Sequence, residues 1–191
     1  PLAGYEETLR KNIFSVLEKL AVKPLKIDIT SKITARAAQR GVPTLNQVKN
    51  IIAIASGTGG VWKSTTATNL ACAISHEGGK VGILDADIYG PSQTKMLGTI
   101  GKPDSLDGKK MEPITNHGIQ SISIGNLIKE DTPMIWRGPM ATGALEQLLN
   151  ETNWKELDYL IVDLPPGTGD IHLTLCQKIP VTAAVIVSTP Q

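Results

Sequence analysis

The sequence predicts an α/β fold in which a mainly parallel β-sheet carries helices on both faces. Two observations support this prediction. Short, continuously apolar segments, such as residues 51–55 and 159–162, are typical of strands that are buried on both faces. Segments with apolar residues at helical spacing separate them, and strands that alternate with helices favour parallel pairing. Functional side chains are then expected at the carboxyl ends of the strands.

The predicted elements follow one another along the second part of the chain. The strands are expected at residues 51–55, 80–84, 119–124, 159–162 and 183–187. A helix is predicted at 63–77 because its apolar residues recur at helical spacing, at Ala67, Leu70, Ala71 and Ile74. Residues 144–149 belong to another predicted helix.

Residues 1–41 are predicted to be the remnant of a small α+β domain with its linker, and residues 42–191 to form the main domain. Residues 6–20 have the spacing of an amphipathic helix, and residues 25–29 alternate as a short strand. One helix and one strand bury too little surface to be stable alone. The chain begins without Met and stops just after a strand-like segment, so we expect it to be a fragment.

Composition and charge argue against several classes of protein. The 19 basic and 18 acidic residues are scattered and leave a net charge of +1, so we expect no nucleic acid partner. No apolar stretch approaches membrane-spanning length and the amino terminus lacks the order of a signal peptide, so we expect a cytoplasmic protein without a membrane partner. Cys72 and Cys176 are isolated in helical segments, and we expect both to be buried rather than to bind metal.

A phosphate-binding loop is predicted between the first strand and its helix. The pattern is Gly, four residues, Gly, Lys and then Ser or Thr, and this chain matches it at Gly57, Lys63 and Ser64. Backbone N–H groups, the positive end of the helix and the lysine together hold a triphosphate. The residues expected to bind the nucleotide are Gly57, Thr58, Gly59, Gly60, Val61, Trp62, Lys63, Ser64 and Thr65. The alternative is a tight strand-to-helix turn without a ligand.

Trp62 stands where the pattern has its second glycine. A side chain at this position must avoid both the loop interior and the nucleotide, and its backbone strain is about 1 to 3 kcal/mol. Two outcomes remain open from the sequence. Either the indole turns outward and stacks on a nucleotide or a partner, or the loop binds phosphate poorly.

Three aspartates at strand ends complete the predicted site. Asp163 follows an apolar strand, as a Walker-B carboxylate does, and is expected to hold Mg²⁺ together with the Ser64 hydroxyl. Asp87 is expected to orient the attacking water, so Asp87 and Lys63 are the predicted catalytic residues. Asp85 is expected to set the local turn. The alternative role for Asp163 is a helix cap or turn.

Residues 164–170 form a proline- and glycine-containing loop directly after Asp163. Such a loop is suited to sensing the γ-phosphate and shifting with it. A rigid turn before a helix is the alternative interpretation.

Four segments together resemble the Mrp family, also called ApbC, of P-loop ATPases that carry iron–sulfur clusters. They are residues 48–56, 81–92, 136–140 and 163–170. The second and fourth are far more specific than a phosphate loop alone and separate this family from its relatives in cell-division site placement and chromosome partition. The resemblance covers the chain from about residue 30 to its end. It implies a P-loop NTPase fold of the deviant Walker-A type.

The resemblance implies a homodimer that binds ATP with Mg²⁺ and transiently holds a 4Fe-4S cluster for transfer to apo-proteins. Three departures limit this expectation. Thr58 replaces the lysine that reaches across the dimer to the partner's nucleotide, and Trp62 replaces a glycine. The Cys-x-x-Cys ligands of the cluster are absent from this chain, which is therefore not expected to bridge a cluster in the family manner.

Two functional hypotheses remain open. The first is an ATP-binding and ATP-hydrolysing carrier that assembles 4Fe-4S clusters and transfers them to apo-proteins. The second is a catalytically impaired scaffold with the same fold, which binds partners without nucleotide turnover. A positioning ATPase acting on membrane or DNA would need an amphipathic or basic tail, and none is visible in this chain.

Overall fold

The computed structural model describes residues 4–22, 26–36, 38, 41–106, 108–127 and 138–190. The strands of this part of the chain are β1 (Val48–Ala55), β2 (Val81–Asp85), β3 (Ile114–Asn116), β4 (Ile119–Ser123), β5 (Leu157–Asp163) and β6 (Ala183–Ile186). They form one sheet in the order β3-β4-β2-β5-β1-β6. The pairs from β4 to β6 are parallel, and β3 pairs with β4 in the antiparallel sense. The predicted mainly parallel α/β sheet is confirmed.

The helices of the described residues are α1 (Glu6–Lys19), α2 (Lys63–His76), α3 (Gln93–Leu97), α4 (Gly138–Glu151) and α5 (Asp170–Lys178). A 3-10 turn, Ile124–Asn126, follows β4. None of the described helices has both the length and the apolar character that a membrane crossing requires.

Alternation along the strands gives the sheet two apolar faces. Ile54 of β1 and Ile161 of β5 pack on one face with α2 and α3, through Ala67 and Leu97 among others. On the other face, side chains of α4 and α5 pack on β1, β4 and β5 in a second cluster. Burying apolar area on both faces, at about 25 cal/mol per Å², explains why residues 51–55 of β1 and 159–162 of β5 are continuously apolar.

The five strands predicted within residues 42–191 form where the sequence placed them, with shifts of a few residues at their ends. The hairpin of β3 and β4 was not predicted. Its turn contains His117 and Gly118, both with positive φ. Cys72 was predicted to be buried, and this was wrong because it lies on the exposed side of α2. Cys176 lies in α5, and its side chain is outside the described residues.

The amino-terminal segment matches its prediction only in part. Helix α1 forms, but none of its residues is buried. The predicted strand is not formed, because residues 26–29 are irregular, while Leu25 lies outside the described residues. Asn50 of β1 holds the segment that follows, since its Nδ2 donates to Thr34 O at 3.1 Å and its Oδ1 accepts from Arg36 N at 3.0 Å. The division of the chain at residues 41 and 42 stays a prediction.

Candidate nucleotide site

The predicted phosphate loop connects β1 to α2 and is held by its own hydrogen bonds. The Ser56 hydroxyl donates to Thr58 O at 2.9 Å. At the helix start, both the amide and the hydroxyl of Thr66 donate to Trp62 O at 2.9 Å. Val61 is buried beneath the loop. The loop therefore has a fixed conformation over the first turn of α2.

Trp62 adopts a left-handed backbone conformation, with φ 66° and ψ 26°. Bulky side chains rarely adopt this region, whereas glycine enters it without a steric penalty. The conformation explains why the pattern has glycine here. The side chain is 72% exposed. Whether it stacks on a ligand or weakens phosphate binding stays a prediction.

A cavity of about 340 Å³ lies over the loop. It is lined by Ser56, Thr58, Gly59, Gly60, Trp62, Lys63, Ser64, Thr65, Asp87 and Pro166. The predicted nucleotide-binding residues thus share one concave surface, with the exception of Gly57 and Val61, which do not line it. The two predicted catalytic residues also lie on this surface.

Lys63 brings the predicted catalytic and metal-binding residues together. Its side chain is only 6% exposed, and its ammonium group binds Asp163 Oδ1. The same Nζ lies 3.5 Å from Asp87 Oδ2 and donates to Ser64 Oγ at 3.3 Å. A buried charge requires a partner, and here one ammonium group pairs with two carboxylates. The predicted set Lys63, Ser64, Asp87 and Asp163 therefore forms one cluster.

The sheet register explains why distant residues meet in this cluster. Asp163 ends β5 and pairs in register with Ile54 of β1 and with Asp85 of β2. Parallel strands end at the same edge, so the phosphate loop and the two carboxylates converge there. Asp163 is fully buried.

Gln93 is the member of the cluster that sequence analysis missed. It is the first residue of α3 and fully buried. Its Nε2 donates to Asp163 Oδ2 at 2.9 Å and to Ser64 O at 3.0 Å. Its only sequence signal is its position directly after the specific segment 81–92.

Asp85 sets the turn after β2, as predicted. Its carboxylate accepts hydrogen bonds from Asp87 N at 3.2 Å and from Ser92 N, Gln93 N and Ser123 Oγ at 3.0 Å. Burial, together with the charge of Asp163, raises the pKa of Asp85 to about 6, although these hydrogen bonds act to lower it. This buried carboxylate thus supports the segment that carries Asp87.

The loop after Asp163 contacts the phosphate loop directly. Gly167 N donates to Ser56 O at 2.9 Å, and Leu164 N donates to Ile54 O at 3.0 Å. Pro166 contributes to the wall of the cavity. These contacts place the loop beside the phosphate loop, and its sensing of the γ-phosphate stays a prediction.

The oxygen atoms of the cluster have the chemistry that Mg²⁺ prefers. Ser64 Oγ and Asp163 Oδ1 both contact the Lys63 ammonium group, so this position already stabilises positive charge. Among the described residues, no group of three or more His, Cys, Asp or Glu side chains is arranged to hold a metal ion. Mg²⁺ does not need such a group, because it usually binds one or two protein oxygens together with phosphates and water.

A second cavity, of about 780 Å³, lies at the opposite, amino-terminal end of the strands. Lysines and carboxylates on its wall are paired with each other, as in Lys49–Asp158 at 2.6 Å and Lys80–Glu156 at 2.8 Å. Although this cavity is larger, it holds none of the clustered residues of the phosphate loop. The smaller cavity is therefore the candidate site.

Comparisons with known proteins show which family this chain resembles. The family model described as ParA, NUBPL iron-transfer P-loop NTPase, matches residues 47–191. The iron-sulfur cluster carrier protein of Escherichia coli (strain K12) is 52% identical over 190 residues, which cover 99% of this chain and 52% of that protein. The iron-sulfur cluster transfer protein NUBPL of Mus musculus is 49% identical over 157 residues, covering 80% of this chain and 49% of that protein. The chain spans about half the length of these curated relatives.

Two solved structures also resemble this chain. A nucleotide-binding protein from Archaeoglobus fulgidus, in complex with ADP, is 41% identical, with a TM-score of 0.66 over 76% of this chain and 56% of that one. The septum site-determining protein MinD from Pyrococcus horikoshii, complexed with Mg-ADP, is 21% identical, with a TM-score of 0.50 over 74% of this chain and 58% of that one. At this identity the likeness to MinD shows the fold alone.

Proposed function

The chain belongs to the family of NUBPL-type iron-transfer P-loop NTPases, and from this premise we propose that it is the nucleotide-binding part of an ATP-dependent iron–sulfur carrier. In this proposal the protein binds and hydrolyses ATP, assembles 4Fe-4S clusters and transfers them to apo-proteins. The single observation that carries the proposal is the cluster of Lys63, Ser64, Asp87 and Asp163 beside the phosphate loop. These are the groups that phosphoryl transfer requires, brought together from three strand ends.

Lys63 is proposed to hold the phosphate oxygens of ATP. To do so, its ammonium group exchanges the contact with Asp163 for the phosphates, and the carboxylate of Asp163 becomes available to a metal ion. Ser64 and Asp163 would hold Mg²⁺, which neutralises charge on the phosphates when bound.

Asp87 is proposed to orient the water that attacks the γ-phosphate. Its Oδ1 accepts from Gly90 N at 3.2 Å, which fixes the carboxylate, while Oδ2 faces Lys63. A new bond forms between the water oxygen and the γ-phosphorus as the bond to the β,γ-bridging oxygen breaks. The products are ADP and phosphate, and the proton of the water leaves with the phosphate or to solvent.

The partners and location of the carrier are also proposals. We propose a homodimer that serves apo iron–sulfur proteins in the cytoplasm. The cluster is the cargo of this protein, and its Cys-x-x-Cys ligands are not among the two cysteines of this chain, Cys72 and Cys176. Thr58 offers no charge to a partner's nucleotide, so this chain would rely on Lys63 alone for a lysine contact to phosphate.

Calorimetric titration with MgATP tests the nucleotide proposal. Wild-type protein should bind MgATP saturably, and Lys63→Met should reduce affinity at least about 100-fold, because a charged hydrogen bond to phosphate is lost from a buried site. Lys49→Met is the matched control, since Lys49 pairs with an aspartate at the opposite end of the sheet. Absence of saturable binding by the wild type would overturn the proposal.

The impaired scaffold remains a second candidate because of one observation, the left-handed Trp62 at the loop. In that case the wild type binds no nucleotide, or binds it without turnover. Phosphate release by the wild type and by a Thr58→Lys, Trp62→Gly double variant separates the two candidates. Turnover by the wild type rules out the scaffold, whereas turnover by the double variant alone supports it.

A further inference from the structure

Gln93 lies at the centre of the cluster, but the proposed reaction gives it no role. The side chain is fully buried, although it carries an uncharged amide with two donors and an acceptor. All of these groups are bonded. Nε2 donates to Asp163 Oδ2 and to Ser64 O, and Oε1 accepts from Thr68 Oγ1 at 2.7 Å. Such complete satisfaction fixes the amide plane, because rotating it would break every bond.

The first consequence is the orientation of Asp163. One oxygen of this carboxylate binds Lys63, and the other binds Gln93. With Oδ2 held by Gln93, Oδ1 remains directed toward Lys63, whose ammonium group also contacts the Ser64 hydroxyl. Gln93 therefore fixes the plane of the Asp163 carboxylate at the proposed metal position.

The second consequence concerns the segment between β2 and α3. The backbone N–H of Gln93 donates to Asp85 Oδ2 at 3.0 Å, and Asp87 N donates to Asp85 Oδ1 at 3.2 Å. The same residue thus binds Asp163 through its side chain and the anchor of the Asp87 segment through its backbone. Gln93 therefore links the two sides of the cluster.

We propose that Gln93 is a positioning residue for the nucleotide site. It orients Asp163 for Mg²⁺ and ties the Asp87 segment to the first turn of α2, without touching a reacting atom. This inference rests on the proposed function, since it assigns Gln93 a role in that same site. An aliphatic side chain of the same length would fill the space but leave Asp163 free to rotate.

The test compares Gln93→Met with Gln120→Met. Gln120 is the matched control because its amide also bridges, accepting from Lys155 N at 2.9 Å and donating to Lys155 O at 3.0 Å, away from the phosphate loop. The measurement is the Mg²⁺ concentration that gives half-maximal ATP turnover. Gln93→Met should raise it about 10-fold or more, as loss of a group that orients a metal ligand usually does. Its KM for ATP at saturating Mg²⁺ should change less than twofold, and Gln120→Met should change neither value.

Thr68→Val provides a milder change in the same direction. It removes the hydroxyl that holds Gln93 Oε1, so the Mg²⁺ requirement should rise by less than in Gln93→Met. The double variant should be no worse than Gln93→Met, because Thr68 acts through Gln93. Additive effects of the two changes would contradict this route.

A measurement without nucleotide tests the hydrogen bonds of the Gln93 side chain directly. Both hydrogens of the Gln93 side-chain amide are bonded, so their exchange with solvent, followed by NMR, should be slow, and slower than that of the half-exposed Gln120 amide. Fast exchange would overturn the proposal.

The two proposals fail in different ways. A wild-type protein that binds no MgATP removes the reaction and overturns both. If the wild type turns over ATP and Gln93→Met keeps the Mg²⁺ requirement of the wild type, only the role of Gln93 is overturned. The same holds if Gln93→Met raises both constants equally while losing stability, because a merely structural role would do so.

Discussion

At the two ends of the parallel sheet, the pKa values of aspartates are shifted in opposite directions. At the amino end, Asp158 binds Lys49 Nζ and accepts from Lys80 N at 2.9 Å. Burial alone would raise the pKa of Asp158, but the hydrogen bonds from Lys49 and Lys80 outweigh it and hold the pKa below its ordinary value. At the carboxyl end, Asp85 forms no ion pair with any cation of the described residues, and burial raises its pKa to about 6.

The difference shows what each end is built to do. The amino end joins one carboxylate to a half-exposed lysine, a pairing that can be made or broken at small expense in free energy. The carboxyl end buries Asp87 and Asp163 around the ammonium group of Lys63, places the buried Asp85 in register beside Asp163, and also carries the left-handed Trp62. Concentrated charge and backbone strain destabilise a fold, and they persist where binding or chemistry needs them.

Removing one lysine from each end should show the largest contrast. Lys63→Met leaves buried carboxylates without their cation and should lower the free energy of unfolding by about 3 to 5 kcal/mol. Lys49→Met breaks a pair whose lysine is 47% exposed and should lower it by about 1 kcal/mol or less. Urea denaturation of both variants measures the two losses. Equal losses in the free energy of unfolding would contradict this difference between the two ends of the sheet.

The pH dependence of stability should also differ between the two ends of the sheet. In the folded protein the pKa of Asp85 is about 6, against an ordinary value of 3.8, so the folded state binds more protons than the unfolded state between these values. The contribution of Asp85 is therefore full below about pH 4 and falls as the pH rises through about 6, by an amount on the order of 3 kcal/mol. Asp158, with its lowered pKa, stabilises the fold above its ordinary pKa and loses this contribution as the pH falls.

Asp85→Asn and Asp158→Asn separate these two contributions. Denaturation in EDTA between pH 3 and pH 8 should show that Asp85→Asn removes the decline in stability between about pH 4 and pH 6. Asp158→Asn should instead flatten the loss of stability on the acid side. If the free energy of unfolding of a variant changes with pH as that of the wild type does, over the pH range in which its residue is expected to titrate, the role given to that residue is contradicted.

A smaller effect is expected from relieving backbone strain. Trp62→Gly should stabilise the protein by about 1 kcal/mol, because glycine enters the left-handed region without strain. His117→Gly, at φ 51° in the β3–β4 turn, is the matched control and should stabilise by a similar amount. Only Trp62→Gly should raise the affinity for MgATP, as calorimetry would measure. Unchanged or weaker affinity would refute obstruction by the indole.

The smallest effect is expected at Cys72. This residue is exposed on α2, so Cys72→Ala should change the free energy of unfolding by less than about 0.5 kcal/mol. Anaerobic reconstitution should give no stoichiometric, stable 4Fe-4S absorbance with this chain or with the variant. Stable absorbance that disappears in Cys72→Ala would show that the exposed thiol binds a cluster.

The strands and the phosphate loop could be predicted because their signals are local. Segments buried on both faces must be apolar throughout, and a glycine-containing loop with lysine and serine can be recognised from its spacing. The meeting of Lys63 with Asp163 then follows from the common edge of parallel strands. The predicted strand at residues 25–29 lacked this support, because a strand forms only when a neighbour accepts its hydrogen bonds.

The rest of the site depends on contacts that no local pattern contains. Gln93 and Asp163 are 70 residues apart in the sequence. A single glutamine does not indicate from the sequence whether its side chain is buried. Strand β3 has three residues, none of them fully buried, so it shows neither an apolar run nor a clear alternation. The exposure of Cys72 depends on which side of α2 faces the sheet, and cysteine is compatible with either side.

The attachment of residues 34–36 to Asn50 provides an experimental handle on the nucleotide site. Asn50 lies five residues before the end of β1, so this attachment is roughly 16 Å along the strand from the start of the phosphate loop. A fluorophore on Thr34 or Arg36 would sit outside the cavity yet report through a strand that leads directly into it. If nucleotide changes its emission, β1 transmits the signal from one end of the sheet to the other.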